Sequence, residues 1–237
     1  MQPDTRRRLN DLNRRFYAVT AEAFDATRGH PWPGWARLLP HIPARRPVRV
    51  LDVGCGNGRF GVYLAEQLRG PVHYTGLDNN PTLLDAARFA LEGFKTVQSS
   101  FVNGDMIDGD LPPGPFDGVA AFGVVHHVPG NAARLAWVRR LAACVAPGGV
   151  LMLAAWRFTE SEKLRSRLAD WPTDYEHEPG DYLLDWRRGE RALRYCHYVD
   201  DAEHARLVAA TGLTEVNTYR ADGHDGRMNR YSVLRRV

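Results

Sequence analysis

The sequence predicts an α/β fold built on a seven-stranded, mostly parallel sheet with helices on both faces, an N-terminal helical cap and an insertion after the fifth strand. Three observations predict it. Apolar runs of strand length alternate with helix-period segments between residues 48 and 156. The first run, Val48 to Val53, passes into Gly54-Cys55-Gly56-Asn57-Gly58, a turn whose missing Cβ atoms let backbone approach a ligand and permit positive φ. The second run, Val72 to Leu77, ends at Asp78, 24 residues after Gly54, where doubly wound sheets set a carboxylate against a ribose diol.

In chain order, Leu9, Leu12, Phe16 and Val19 are spaced three and four apart and predict one apolar stripe on an N-terminal helix. Thr27 to Pro33 follows, with two prolines that favour an extended connection. The core reads as strand 48–53, helix 58–68, strand 72–77, helix 81–92, strand 98–103, strand 116–122, helix 131–145 and strand 148–156. A segment at 157–197, rich in Arg, Asp, Trp and Tyr, is too long for a simple connection. A helix from Asp201 to Thr211, stopped by Gly212, and strands at 213–219 and 230–237 complete the sheet with an antiparallel pair. The chain is expected to form one domain over 1–237, divided into a cap (1–47), a cofactor-binding core (48–156), a substrate-side insertion (157–197) and a C-terminal part (198–237).

Composition narrows the class. A chain of 237 residues suffices for one substantial core. No apolar stretch approaches the roughly 20 residues of a membrane span, and the first residues lack a signal peptide's apolar segment, so a cytoplasmic protein without membrane attachment is expected. Cys55, Cys144 and Cys196 form no C-x-x-C pair, so neither a disulfide framework nor a metal site is expected. The formal charge is only +3, yet just Lys95 and Lys163 are lysines among the 31 basic residues. Arginine suits phosphate and carboxylate recognition; a codon bias explains the same excess equally well.

The turn spacing is G-x-G-x-G, with Arg59 where a dinucleotide fingerprint has its third glycine. With Asp52 before the turn, Asp78 after the second strand and Asp105-Met106 after the third, the pattern resembles the class I methyltransferases, whose Rossmann-like seven-stranded sheet binds S-adenosylmethionine. The resemblance implies that Asp52, Gly54, Cys55, Gly56 and Gly58 line the methionine and sulfonium part. Asp78 and Asn79 would hold the ribose and Asp105 and Met106 flank the adenine, with Tyr17 and Phe122 as further cofactor contacts.

More specific segments resemble the tRNA methyltransferases that esterify 5-carboxymethyluridine at the wobble position. They are Tyr17, Phe24 and Thr27-Arg28 through Pro31-Trp32-Pro33, then Val124-Val125-His126-His127, Gly180-Asp181 with Leu184 and Trp186, and Arg194-Tyr195-Cys196-His197. This chain departs from that family's pattern at Leu184-Asp185-Trp186, at Cys196 and in the segment Tyr219 to Tyr231. The resemblance implies tRNA as a partner and a small zinc-binding activator protein as another.

A carboxylate acceptor is already ionised at neutral pH and needs no base, only a cation to orient it. Arg28 and Arg194 are the candidate cations, with the methionine carboxylate of the cofactor as their alternative ligand. His127 is the candidate that orients the acceptor or serves as a base, against a structural histidine bonded to a loop. Trp32, Trp156 and Trp186 are candidates for stacking on a base, against core packing. Arg157, Asp181 and His197 are the remaining candidate substrate contacts. A small-molecule methyltransferase acting on a carboxylic acid, phenol or amine is the rival reading, and a non-catalytic nucleotide-binding module a second.

Overall fold

A long helix, α1 (Pro3–Asp25), leads into the first strand of the sheet in the computed structural model of the chain. The structure describes residues 1–25, 29–186 and 191–237. Thr27 and Arg28 therefore lie outside the described residues, as does the side chain of Phe24. The core follows as β1 (Val48–Val53), α2 (Arg59–Gln67), β2 (Val72–Asp78), α3 (Pro81–Glu92), β3 (Val97–Asn103), β4 (Phe116–Phe122), α4 (Asn131–Ala143) and β5 (Val145–Trp156). Next come α5 (Glu162–Arg165), β6 (Leu168–Ala169), β7 (Asp181–Trp186), β8 (Ala192–His197), α6 (Asp201–Ala210), β9 (Thr214–Ala221) and β10 (Asn229–Arg235).

The seven-stranded sheet has the order β3-β2-β1-β4-β5-β10-β9. β1 to β5 are parallel, and β10 runs antiparallel between β5 and β9, as expected. Both faces are covered, which is why β1 reads as a continuous apolar run. Val48 and Val50 enter one core with Trp35, Phe60 and Tyr231, while Leu51 and Val53 enter the other with Trp137, Leu141 and Val119. Strand order reverses between β1 and β4, and the crevice beyond their carboxyl ends is where such sheets bind ligands.

The largest boundary difference from the sequence reading lies between α4 and β5. α4 stops at Ala143 and β5 begins at Val145, three residues before the expected start. Pairing with β4 jumps from Phe116↔Val145 to Gly118↔Val150, and Gly148 in that irregularity has φ +75°. A Pro147-Gly148-Gly149 sequence resembles a turn, but here it bulges within a strand. The α1 stripe also differs: Val19 is 51% exposed, and the buried face runs through Leu9, Asn13, Phe16 and Thr20. Polar groups occupy that face because each finds a partner. Thr20 Oγ1 donates to the Phe16 carbonyl at 2.7 Å, and Asn13 Oδ1 accepts from the Tyr195 N–H at 2.8 Å.

The insertion carries its own antiparallel sheet, β6-β7-β8. Leu183 and Tyr195 from it pack on Leu9 of α1. It is also tied to the core by buried charge. Arg134 donates to Glu203 at 2.7 Å and Glu178 at 3.0 Å, and His197 bridges Glu203 and Asp181 at 2.6 Å on each side. Burial disfavours the His197 cation, but its bonds to Asp181 and Glu203 outweigh this and raise its pKa. No described helix is long and apolar enough to cross a membrane.

Candidate active site

A cavity of about 510 Å³ opens at the carboxyl ends of the parallel strands, between the turn after β1, the β4 and β5 ends, α1 and the insertion. The turn is shaped by its glycines. At Gly54, φ is +75° and an added Cβ would stand 2.4 Å from Val124 Cγ2; at Gly58, φ is again +75° and the Cβ would meet Ala87 Cβ at 2.9 Å. The space over Gly56 is open, so the glycine leaves its backbone accessible from the cavity.

Asp78 fixes that backbone. Its Oδ2 accepts from Gly56 N–H at 2.9 Å and its Oδ1 from Asn80 N–H at 3.0 Å. Each oxygen retains lone-pair capacity toward the cavity it lines. Burial raises its pKa, against the lowering by those backbone donors. Asn80 in turn caps α3 through Leu83 N–H at 3.1 Å and donates to the Tyr17 carbonyl at 2.7 Å, which joins α1 to the loop after β2.

The other two acidic residues of the motif act from behind. Asp52 lies under the turn and does not line the cavity. It accepts from the Tyr74 hydroxyl at 2.7 Å, and burial pushes its carboxyl up to about 7 despite that bond. The Asp105 carboxylate also faces away, accepting from Ile107 N–H at 2.8 Å and Asn10 Nδ2 at 3.1 Å and pairing with Arg14. Burial works against its ionisation, but the Ile107 and Arg14 bonds prevail and hold its pKa low. Met106 and Ile107 present the cavity surface that Asp105 positions. Tyr17, Gly54, Cys55, Gly56, Asn79 and Phe122 line the cavity as well; Gly58 stands at the entry to α2.

Of the residues expected to meet an acceptor, His127, Arg194, Trp32, Trp156 and Trp186 come together in the cavity wall. Arg194 is 9% exposed and lies over the rings of Phe16 and Trp156, 5.2 and 4.8 Å from their centroids. Among the described residues no carboxylate pairs with it. His127 Nδ1 is 2.9 Å from the Tyr195 carbonyl, which can only accept, so this nitrogen carries the proton. Its Nε2 then accepts from the Tyr17 hydroxyl at 2.9 Å. Burial, reinforced by Arg194, holds the imidazole at about 3. His126 packs on His127 with ring centroids 4.2 Å apart, and burial likewise keeps it neutral.

Three expected substrate contacts stand elsewhere. Arg157 turns to Glu160 at 2.7 Å, the Val199 carbonyl at 2.9 Å and Asp201 at 3.1 Å, with its ring partner Tyr198. Asp181 and His197 belong to the buried network below the insertion rather than to the cavity surface. All three are absorbed by carboxylate or cationic neighbours that the folded chain supplies.

The structure adds residues that the sequence reading passed over. Asn13 sits between His127 Nδ1, at 3.3 Å, and the Tyr195 backbone, and its signal was a polar residue on an apolar helix face. Arg59 lines the cavity beside the glycine turn, donates to the His30 carbonyl at 2.9 Å and lies over Trp32 and Trp35. Asp222, a non-glycine residue at φ +65°, accepts from Gly34 N–H, Asn229 and the Tyr231 hydroxyl at 2.8, 2.8 and 2.5 Å. It closes the cavity rim between the segment after α1 and the β9–β10 turn.

Comparison with known proteins accords with this geometry. A methyltransferase-domain family model matches residues 51–151. A Mus musculus protein described as a probable tRNA methyltransferase 9B is 27% identical over 80% of this chain, which spans 38% of that relative's length. A trans-aconitate 2-methyltransferase from Streptomyces avermitilis is 31% identical, covering 66% of this chain and 61% of its own. The solved structure of an S-adenosylmethionine-bound amino pentose methyltransferase from Micromonospora echinaspora superimposes with a TM-score of 0.60 and 27% identity, covering 91% of this chain and 96% of that one. Residues 51–151 match a methyltransferase domain, and the chain has the class I fold of S-adenosylmethionine-dependent methyltransferases.

Proposed function

We propose that this methyltransferase forms a methyl ester on a carboxylate, and that the carboxymethyl group of a modified wobble uridine in tRNA is its acceptor. The observation that carries the reading is Arg194, a buried guanidinium in the cavity wall with no carboxylate partner among the described residues. A guanidinium fork grips two carboxylate oxygens with defined geometry. His127 supports the same choice, because its Nδ1 proton goes to a carbonyl and its Nε2 accepts from Tyr17, which leaves no lone pair to deprotonate a hydroxyl or amine.

S-adenosylmethionine supplies an electrophilic methyl group. The chain's residues align the acceptor and exclude water, which is the main part a protein plays in an in-line displacement. Transfer to a carboxylate oxygen would leave the chain no proton to move. Gly56 leaves open space where the methionine end would lie, and Asp78, which lines the cavity, would hold the ribose diol. We assign the methionine carboxylate to Arg59, beside the glycine turn, which leaves Arg194 for the acceptor. Trp156 and Trp186 offer faces on which a base stacks.

A small carboxylic acid is the second reading, favoured by the similarity to the trans-aconitate enzyme. Both are tested together by transfer of labelled methyl to tRNA bearing carboxymethyluridine, with and without a small zinc-binding activator protein, and to trans-aconitate. Alkali-labile label in the wobble nucleoside is the expected result. Label only in the small acid favours the second reading, and label in neither, with cofactor binding intact, ends the carboxylate proposal.

A further inference from the structure

We propose that His126, His127 and Cys196 form a binding site for one zinc-class cation in the wall of the cavity, with a fourth position open toward it. One ligand atom from each of the three residues lies within 4.8 Å of the others, and all three residues are buried. Cys196 Sγ stands 3.9 Å from His127 Nδ1. The observation that calls for an occupant is His126 Nδ1, sealed from water and without a hydrogen-bond partner. Such an orphaned group costs about 1–3 kcal/mol, and buried imidazoles are ordinarily paired.

The donor set is specific in its chemistry. Two imidazoles and a thiolate suit zinc, and three protein ligands with an open fourth position are the pattern of zinc sites that bind a water or substrate. Ligand atoms around tetrahedral zinc are about 3.3–3.6 Å apart, so the group must contract by roughly 1 Å, within the reach of side-chain rotation. His126 and His127 line the cavity whereas Cys196 stands behind them, so the remaining position faces the acceptor space.

The protons balance through residues already in place. Cation binding displaces the Cys196 thiol proton to solvent, leaving a thiolate that offsets one of the two positive charges. His127 moves its proton from Nδ1 to Nε2 and donates it to Tyr17, whose hydroxyl changes from donor to acceptor across the same 2.9 Å contact. Metal-bound histidines ordinarily donate their other ring N–H in this way. The Tyr195 carbonyl loses its 2.9 Å bond to His127, a penalty that metal coordination has to exceed. The sequence offers no such pattern, since the histidines and the cysteine are 70 residues apart, and the inference holds whatever the acceptor.

The purified full chain, without any partner protein, is loaded with zinc ion alone, desalted and assayed for metal, and in parallel titrated with cobalt ion and read for a thiolate-to-metal charge-transfer band. About one zinc per chain and a cobalt–thiolate band are expected. Cys196→Ser abolishes the band, and Cys196→Ser and His126→Ala each weaken zinc binding by about tenfold or more, while Cys144→Ser changes neither. His126→Ala is the second variant because Nδ1 has no hydrogen bond to lose, and S-adenosylhomocysteine binding reports that each variant is folded. No retained zinc and no band in the wild-type chain overturns the proposal, as does a band that survives in Cys196→Ser.

Discussion

Replacing Arg194 by Met separates the two carboxylates that a cation in this cavity could hold. Met fills a similar space, keeps apolar contact with Phe16 and Trp156, and removes the charge. A charge-assisted hydrogen bond contributes about 1.5–3 kcal/mol. At one decade per about 1.4 kcal/mol, kcat/KM for an anionic acceptor falls about 10- to 150-fold. The loss concentrates on the acceptor, so the Kd for S-adenosylhomocysteine stays within about twofold of wild type, well short of the tenfold that 1.4 kcal/mol represents. Stability barely changes, because desolvation of a buried guanidinium with no carboxylate partner is relieved as two cation–π contacts of about 0.5–1 kcal/mol each are lost. Arg194→Lys retains the charge without the fork and falls between the two. Steady-state kinetics on the acceptor and calorimetry with S-adenosylhomocysteine give both numbers. A tenfold rise in the cofactor Kd refutes the assignment and hands Arg194 to the methionine carboxylate, and unchanged kinetics refute any role in binding.

Other outcomes follow from the same geometry. Gly58→Ala forces a side chain into a left-handed backbone and against Ala87, a strain of about 1–2 kcal/mol before the clash is counted, and is expected to weaken S-adenosylhomocysteine binding at least tenfold by calorimetry. Arg134→Met strands the buried Glu203 and lowers unfolding free energy in urea by about 3–5 kcal/mol; a loss under 1 kcal/mol contradicts the network described here. Burial disfavours the Glu203 carboxylate, but its His197 and Arg134 bonds prevail and hold it at about 2, well below the usual carboxylate range. A depressed carboxylate stabilises the fold above its unfolded pKa and loses that contribution as pH falls, so wild type should lose stability between about 4.5 and 2 more steeply than Glu203→Gln. If the acceptor is a carboxylate, kcat/KM is flat above about pH 6, whereas a rising limb in the pH-rate profile points to a hydroxyl or amine.

The glycine turn and its carboxylate were legible because their constraints are local. Gly54, Gly58 and Asp78 announce themselves through backbone conformations and strand ends that neighbouring residues dictate. The half proposed for the acceptor was legible only in part, since Arg194, His127 and the tryptophans face the cavity whereas Arg157, Asp181 and His197 turn to charged partners of their own, some near in sequence and some far. Nothing near Arg157 in sequence foretells Asp201, and although Glu203 follows His197 by only six residues, nothing there foretells that Asp181 takes its other ring nitrogen. Asn13 was hidden for the opposite reason. Periodicity seeks apolar residues on a buried face, and this face carries an amide whose partners arrive from 114 and 182 residues away.

The placement of α1 has a kinetic consequence. Through Tyr17 it touches Asn80 on the cofactor side and His127 on the acceptor side, and through Asn13 it holds β8. On the proposed assignment one element thus spans both halves of a shared chamber, so displacement of this helix would expose both bound molecules together. A bulky product seated on Trp156 and Trp186 would keep the helix down and detain the spent cofactor beneath it. Turnover on a large acceptor should therefore be ordered, with the methylated product leaving first, while a small acid that slips out past the rim imposes no such sequence.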